Sequence, residues 1–193
     1  MLSLKNSLAV LKKTDALLEG HFVLSSGLHS PQYVQCAKLL SKPNQAKKFI
    51  SSLATKIKQN IKNFDVILSP AMGGVIIGYE IGRLLKKETI FCERVDKNFK
   101  LRRGFNIKKK TKILIVEDVI TTGKSSLECV RLINRFGGKF VGIACLIDRS
   151  KKLKMSKKII SQVKLDIPVY KRNKLPTNLK NIQITKPGSR YLR

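Results

Sequence analysis

The sequence predicts an α/β protein, a central parallel sheet flanked by helices, and three observations point there. Apolar runs such as Ile113-Leu114-Ile115-Val116 are too short for helices and suit strands buried on both faces. From residue 64 onward such runs alternate with longer helical patterns, the order of βαβ units. The joints are rich in small residues, as in Pro70-Ala71-Met72-Gly73-Gly74 and Thr121-Thr122-Gly123-Lys124-Ser125-Ser126. The 193 residues fit one domain with a single buried core.

Each element has its own justification. Ser3 caps a helix that carries Leu4, Leu8 and Leu11 on one face. Residues 19–31, with Gly20, Ser26, Gly27 and Pro31, break helical periodicity and read as short strands and turns. Pro43 opens a helix that runs to about Asn60, with Phe49, Ile50, Leu53 and Ile57 inward. Residues 64–69 form a strand, 70–74 a turn, and 75–85 an almost wholly apolar helix that must be buried. Residues 89–93 and 112–116 are strands. Between them, residues 94–110 are polar and basic and predict a hairpin or a mobile loop; long polar loops in compact domains are often functional lids. Residues 125–136 form a helix with Leu127, Val130 and Ile133 inward, ended by Gly137-Gly138, and residues 140–147 form a further strand.

Composition narrows the class. Hydrophobic residues make up 42% of the chain, as expected of a folded soluble protein. No run of eighteen apolar residues is present, and the first residues are too polar for a secretory leader. Cys36, Cys92, Cys129 and Cys145 are scattered without a Cys-x-x-Cys pair. They read as small buried hydrophobes in a reducing cytoplasm, not as a disulfide frame or a zinc site. The formal charge of +28 is spread from Lys5 to Arg193, with no basic helix interleaved with aromatics. It reads as lysine filling solvated faces rather than as a nucleic-acid footprint. The same field speeds capture of polyanionic small substrates.

One segment concentrates the chemistry. Open parallel sheets bind ligands at the carboxyl ends of their strands. The run 113–116 delivers Glu117 and Asp118 to that edge. Adjacent carboxylates after an apolar strand are costly unless paired. The small residues that follow let backbone N–H groups and hydroxyls approach an anion at a helix start. Gly123-Lys124-Ser125 resembles the end of a Walker A loop, but the opening glycine of that loop would fall on Asp118, whose carboxylate would face the phosphates. An acid pair followed by an anion cradle suits a sugar phosphate instead: carboxylates for ribose hydroxyls, the cradle for a phosphate.

Glu117-Asp118-Val119-Ile120-Thr121-Thr122-Gly123-Lys124-Ser125 resembles the signature for phosphoribosyl diphosphate (PRPP) of type I phosphoribosyltransferases. Within that group five further blocks resemble orotate phosphoribosyltransferase. They are Gly20-His21-Phe22 with Ser26-Gly27, His29-Ser30 and Tyr33; Pro70 to Gly74; Glu93-Arg94-Val95-Asp96 with Leu101-Arg102-Arg103-Gly104-Phe105; Ile147-Asp148-Arg149-Ser150; and the tail Lys186-Pro187-Gly188-Ser189-Arg190.

The resemblance implies a type I phosphoribosyltransferase fold with a small N-terminal hood and a mobile loop. The hood would take about residues 1–40 plus a C-terminal segment, and the core about 43–150. It implies transfer of phosphoribosyl from PRPP to orotate with Mg²⁺ in pyrimidine biosynthesis. Glu117 and Asp118 would contact the ribose, with Val119 and Ile120 beside them. Thr121, Thr122, Gly123, Lys124 and Ser125 would hold the 5′-phosphate. Ala71, Met72 and Gly73 would face the diphosphate with bare backbone N–H groups. Thr121 and Arg149 would touch orotate, Arg149 through its planar fork. Arg94 and Lys97 would lie on a loop, near 94–104, that closes over the diphosphate and reaches the neighbouring subunit, which implies a homodimer. Mg²⁺ would be held mainly by substrate oxygens, so no protein metal cage is expected, and His21 and His29 read as hood residues.

Two positions depart from the family pattern. Lys124 replaces a second glycine, and Ser25 stands where some members have lysine. Two rival readings remain: a purine salvage phosphoribosyltransferase, against which His29-Ser30 and Arg149 count, and a nucleic-acid-binding regulator on the same fold, which the charge motivates.

Overall fold

The computed structural model describes residues 1–24, 26–151, 153 and 157–187. Ser25 and the Gly188-Ser189-Arg190 part of the tail lie outside the described residues.

The chain opens with α1 (Leu4–Lys13), whose Ser3 cap accepts the Asn6 N–H as expected. Leu11 is buried, but Leu4 is 59% exposed. Next come β1 (Leu17–Val23), β2 (His29–Val34), the short α2 (Cys36–Leu40) and α3 (Pro43–Asn60). Phe49, Ile50, Leu53 and Ile57 of α3 are all buried. The alternating part follows as β3 (Val66–Pro70), α4 (Gly73–Leu85), β4 (Glu88–Val95), β5 (Asn98–Leu101), β6 (Lys112–Ile120), α5 (Lys124–Arg135), β7 (Lys139–Asp148) and β8 (Ile159–Lys164). A 3-10 turn, α6 (Thr177–Lys180) and β9 (Ile184–Thr185) complete it.

Two sheets result. The larger has the order β5-β4-β3-β6-β7-β8 and is parallel except for the β4–β5 hairpin. The smaller joins β2, β1 and β9, so the C-terminal segment pairs with the N-terminal hairpin. Of the two states predicted for residues 94–110, the first part takes the hairpin: Asp96 and Lys97 turn it at φ 49° and 66°.

The larger sheet is covered on both faces. Leu114 and Val116 of β6 pack with α3 and α4, whereas Ile113 and Ile115 pack with Cys129, Leu132 and Ile133 of α5. This two-sided burial is why the strands read as unbroken apolar runs. It also corrects two helix faces. In α5 the inward residues are Ser126, Cys129, Leu132 and Ile133, while Leu127 is 36% exposed. In α4, Ile76 and Tyr79 are 56% and 63% exposed, so this apolar helix is buried on one face only.

The buried face of α4 is a glycine stripe at four-residue spacing, Gly74, Gly78 and Gly82. A Cβ at Gly78 would collide with Ser69 Oγ and stand 3.0 Å from Ser69 Cβ. The helix therefore rests its backbone on β3. Gly78→Ala is expected to destabilise the fold by about 1–3 kcal/mol, despite alanine's better helix propensity. Urea unfolding measures it; a midpoint at or above the parent's would refute close packing of α4 on β3.

Among the described residues no helix is long and apolar enough to cross a membrane.

Candidate active site

The topology places the site. From β3 the chain crosses through α4 to β4 on one side, and from β6 it crosses through α5 to β7 on the other. The two helices cover opposite faces. Strand order therefore reverses between β3 and β6, and a crevice opens at their carboxyl ends. The turn after β3 and the turn after β6 both lie at this switch point.

β6 runs to Ile120, four residues beyond the predicted strand, so the acid pair lies within the ladder rather than after it. Glu117 pairs with Cys145 and Val119 with Ile147 of β7. Because side chains alternate along a strand, the neighbouring acids point to opposite faces. Asp118 lies on the α4 face: a Cβ at Gly73 would sit 2.5 Å from its Oδ2. The turn after β3 thus approaches Asp118 as closely as only glycine permits. Asp118 Oδ1 accepts the Val119 N–H at 2.8 Å, and the Cys36 thiol meets its carbonyl at 3.6 Å. Burial raises the Asp118 pKa, opposed by the backbone N–H donors.

Glu117 lies on the α5 face and is 7% exposed. Its Oε1 accepts a hydrogen bond from Ser126 Oγ. Burial pushes its pKa up to about 7; the Ser126 hydrogen bond opposes that rise and Asp118 adds to it.

The turn after β6 is an anion cradle in form. Gly123 caps α5 at φ 71°, a conformation that favours glycine, and a Cβ there would also overlap Leu153. Thr121, Thr122 and Lys124 are exposed, and Ser125 is half-buried. Lys124 is the first residue of α5, whose first turn holds no acid. A cation at the positive end of a helix costs roughly 0.3–1 kcal/mol, which a bound anion would reverse. In the turn after β3, Met72 is exposed and the Ala71–Met72 peptide is cis.

Arg149 follows β7 beside this edge, its N–H held by the Ile120 carbonyl at 2.8 Å. The side chain is half-buried, and its Nε has no hydrogen-bond partner among the described residues. Burial lowers its pKa; Tyr33 and Cys36 act against that. Tyr33 belongs to β2 of the smaller sheet; burial raises its pKa and the Arg149 charge opposes that rise. Asp148 Oδ1 accepts from the Ser150 N–H and Oγ at 2.8 and 2.6 Å, which fixes the turn that carries Arg149.

The structure does not gather Arg94 and Lys97 with the acid pair. Arg94 bonds Glu128 of α5 at 2.7 Å and lies over the Phe99 ring at 4.1 Å. Lys97 stands exposed on the hairpin tip. Arg103 pairs with Glu93 at 3.0 Å, a surface contact. His21 Nε2 and His29 Nδ1 are 2.7 Å apart and buried within the smaller sheet.

Sequence reasoning missed Ser126 as the partner of Glu117. The spacing of nine residues gives no periodic signal, although a serine at the third position of a helix starting beside an acid is a detectable hint. The Gly74-Gly78-Gly82 spacing was open to reading and marks a helix pressed onto strands.

Comparison with known proteins shows the family and the fold. The family described as phosphoribosyl transferase domain matches residues 37–177. The orotate phosphoribosyltransferase of Parvibaculum lavamentivorans is 46% identical, over 94% of each chain. That of Erythrobacter litoralis is 44% identical over 95% of this chain and 96% of its own. The crystal structure of orotate phosphoribosyltransferase from Aeropyrum pernix superposes with a TM-score of 0.73 at 25% identity, covering 81% of this chain and 92% of that one. An adenine phosphoribosyltransferase from Thermoanaerobacter pseudethanolicus shares the fold, with a TM-score of 0.60 at 20% identity over 69% of this chain and 88% of that one.

Proposed function

This chain belongs to the orotate phosphoribosyltransferase family, and from that premise we propose that it transfers the phosphoribosyl group of PRPP to orotate. The products are orotidine 5′-monophosphate and diphosphate, on the route to pyrimidine nucleotides. The observation that carries this reading is the meeting of Asp118, the Gly123 turn and Arg149 at one switch point.

Each residue then has a task. The Asp118 and Glu117 carboxylates accept hydrogen bonds from the ribose hydroxyls. Thr121, Thr122, Gly123, Lys124 and Ser125 hold the 5′-phosphate by N–H groups, hydroxyls and the dipole of α5; Val119 and Ile120 line the approach. Ala71, Met72 and Gly73 offer backbone to the diphosphate. Thr121 and Arg149 receive orotate, whose carboxylate suits the unpaired Nε and the guanidinium fork. No covalent nucleophile is required. Displacement at the anomeric carbon passes through an oxocarbenium-like state, which Asp118 stabilises by its charge.

Mg²⁺ would be held mainly by the oxygens of PRPP itself, which suits an edge that offers no dedicated metal cage among the described residues. When bound it supplies charge neutralisation for the departing diphosphate. Arg94 and Lys97 serve the same leaving group from the hairpin. The Arg94–Glu128 pair is part-exposed and worth about 0–1 kcal/mol, and the Phe99 ring contact adds about 0.5–1 kcal/mol, a cost that binding of the diphosphate would have to offset.

The assembly is a homodimer in this reading. The exposed apolar stripe of Met72 in the diphosphate turn with Ile76 and Tyr79 on α4 suits a second copy. The β1-β2-β9 sheet acts as the hood of a single catalytic domain.

Incubation with PRPP, Mg²⁺ and orotate is expected to deplete the orotate absorbance. Turnover with adenine and none with orotate would move the assignment to purine salvage.

A further inference from the structure

We infer that Ser126 is a positioning residue that favours the ionised form of Glu117 and aims it at the ribose of PRPP, so that it shifts the pH range over which PRPP is captured. The inference rests on the PRPP-binding reading above.

The geometry isolates Glu117. Its carboxylate faces α5, away from the α4 face on which Asp118 lies. Asp118 on its own strand acts on it, and Glu117 in turn raises the Cys129 thiol of α5 and the Cys145 thiol of β7. None of them is a cation. The Ser126 hydroxyl is fully buried in the first turn of α5 and donates to Oε1, which leaves Oε2 for a ribose hydroxyl. Ser126 directly follows the 121–125 cradle, so the helix start that meets the phosphate also orients the acid that meets the sugar.

The charge balance makes that donor consequential. Burial raises the Glu117 pKa to about 7, so the protonated and ionised forms are comparably populated near neutrality. Folding therefore favours the protonated acid, and Glu117 removes stability as pH rises from 4.5 to about 7. Ribose hydroxyls donate better to the ionised form. PRPP affinity should thus rise with pH through neutrality, and the Ser126 hydrogen bond holds that rise at lower pH than burial alone would.

The test is the pH profile of the PRPP KM in Ser126→Ala and Ser126→Cys. Loss of the donor is expected to move the acidic limb up by about one pH unit, which makes the carboxylate roughly fivefold scarcer at pH 7. The PRPP KM of Ser126→Ala should rise about fivefold at pH 7 and converge on the parent's by pH 9, with the orotate KM unmoved. Ser126→Cys, a weaker donor of similar size, should fall between. A loss that is the same at every pH, or no change in the limb, overturns the inference while leaving the PRPP reading in place. A parent protein that neither binds nor turns over PRPP overturns both.

Discussion

Asp118→Asn is expected to lower kcat by roughly 10²–10³-fold with the fold intact. Asparagine is nearly isosteric, and its side-chain oxygen can still accept the Val119 N–H that Oδ1 accepts at 2.8 Å. The tight fit against Gly73, where an added Cβ would lie 2.5 Å from Oδ2, is also kept. What changes is the charge. Oδ2 becomes an amide that donates, so it opposes the ribose hydroxyls and no longer stabilises positive charge at the anomeric carbon. Burial is what makes the exchange costly: a carboxylate poorly screened by water acts more strongly on a developing cation. Thermal unfolding should match the parent within a few degrees, while orotate depletion in the presence of PRPP and Mg²⁺ nearly ceases. Kinetics equal to the parent's would remove Asp118 from the chemistry.

Arg149→Ala is expected to raise the orotate KM by roughly 10- to 100-fold, the range for losing a hydrogen bond to a charged group. The PRPP KM should change by less than about threefold, because the anion cradle is built from α5 and not from β7. The fold should tolerate the change. The tie from Arg149 to Ile120 is a backbone one, and among the described residues the Nε has no partner to be orphaned. Steady-state kinetics with each substrate varied in turn read the split; equal effects on both constants would sink the assignment to orotate.

Much of this was readable along the chain because the signals are local. The acid pair, the small-residue cradle and the opening glycine of α5 are consecutive, so adjacency in sequence carried adjacency in space. Ser3, Pro43 and Gly137 marked helix ends through their own backbone preferences. Helix faces were less legible. Leu127 and Tyr79 carry the right hydrophobicity but face outward, because the sheet meets α5 and α4 on their cysteine and glycine sides. The strand through Glu117 and Asp118 was cut short for a related reason: a polar pair reads as an ending, whereas β7 continues the ladder beside it to Ile120.

By itself the sequence determined the α/β order, the chemical character of the edge and the phosphoribosyltransferase signature, since each depends on residue type and short spacing. Tertiary structure alone decided which face each acid of the pair presents, that Ser126 meets Glu117, that Cys36 meets the Asp118 carbonyl, and that Arg94 turns to Glu128. Those four facts depend on strand register and helix placement, which arise from packing both faces of the sheet at once. No single stretch of the chain contains that information.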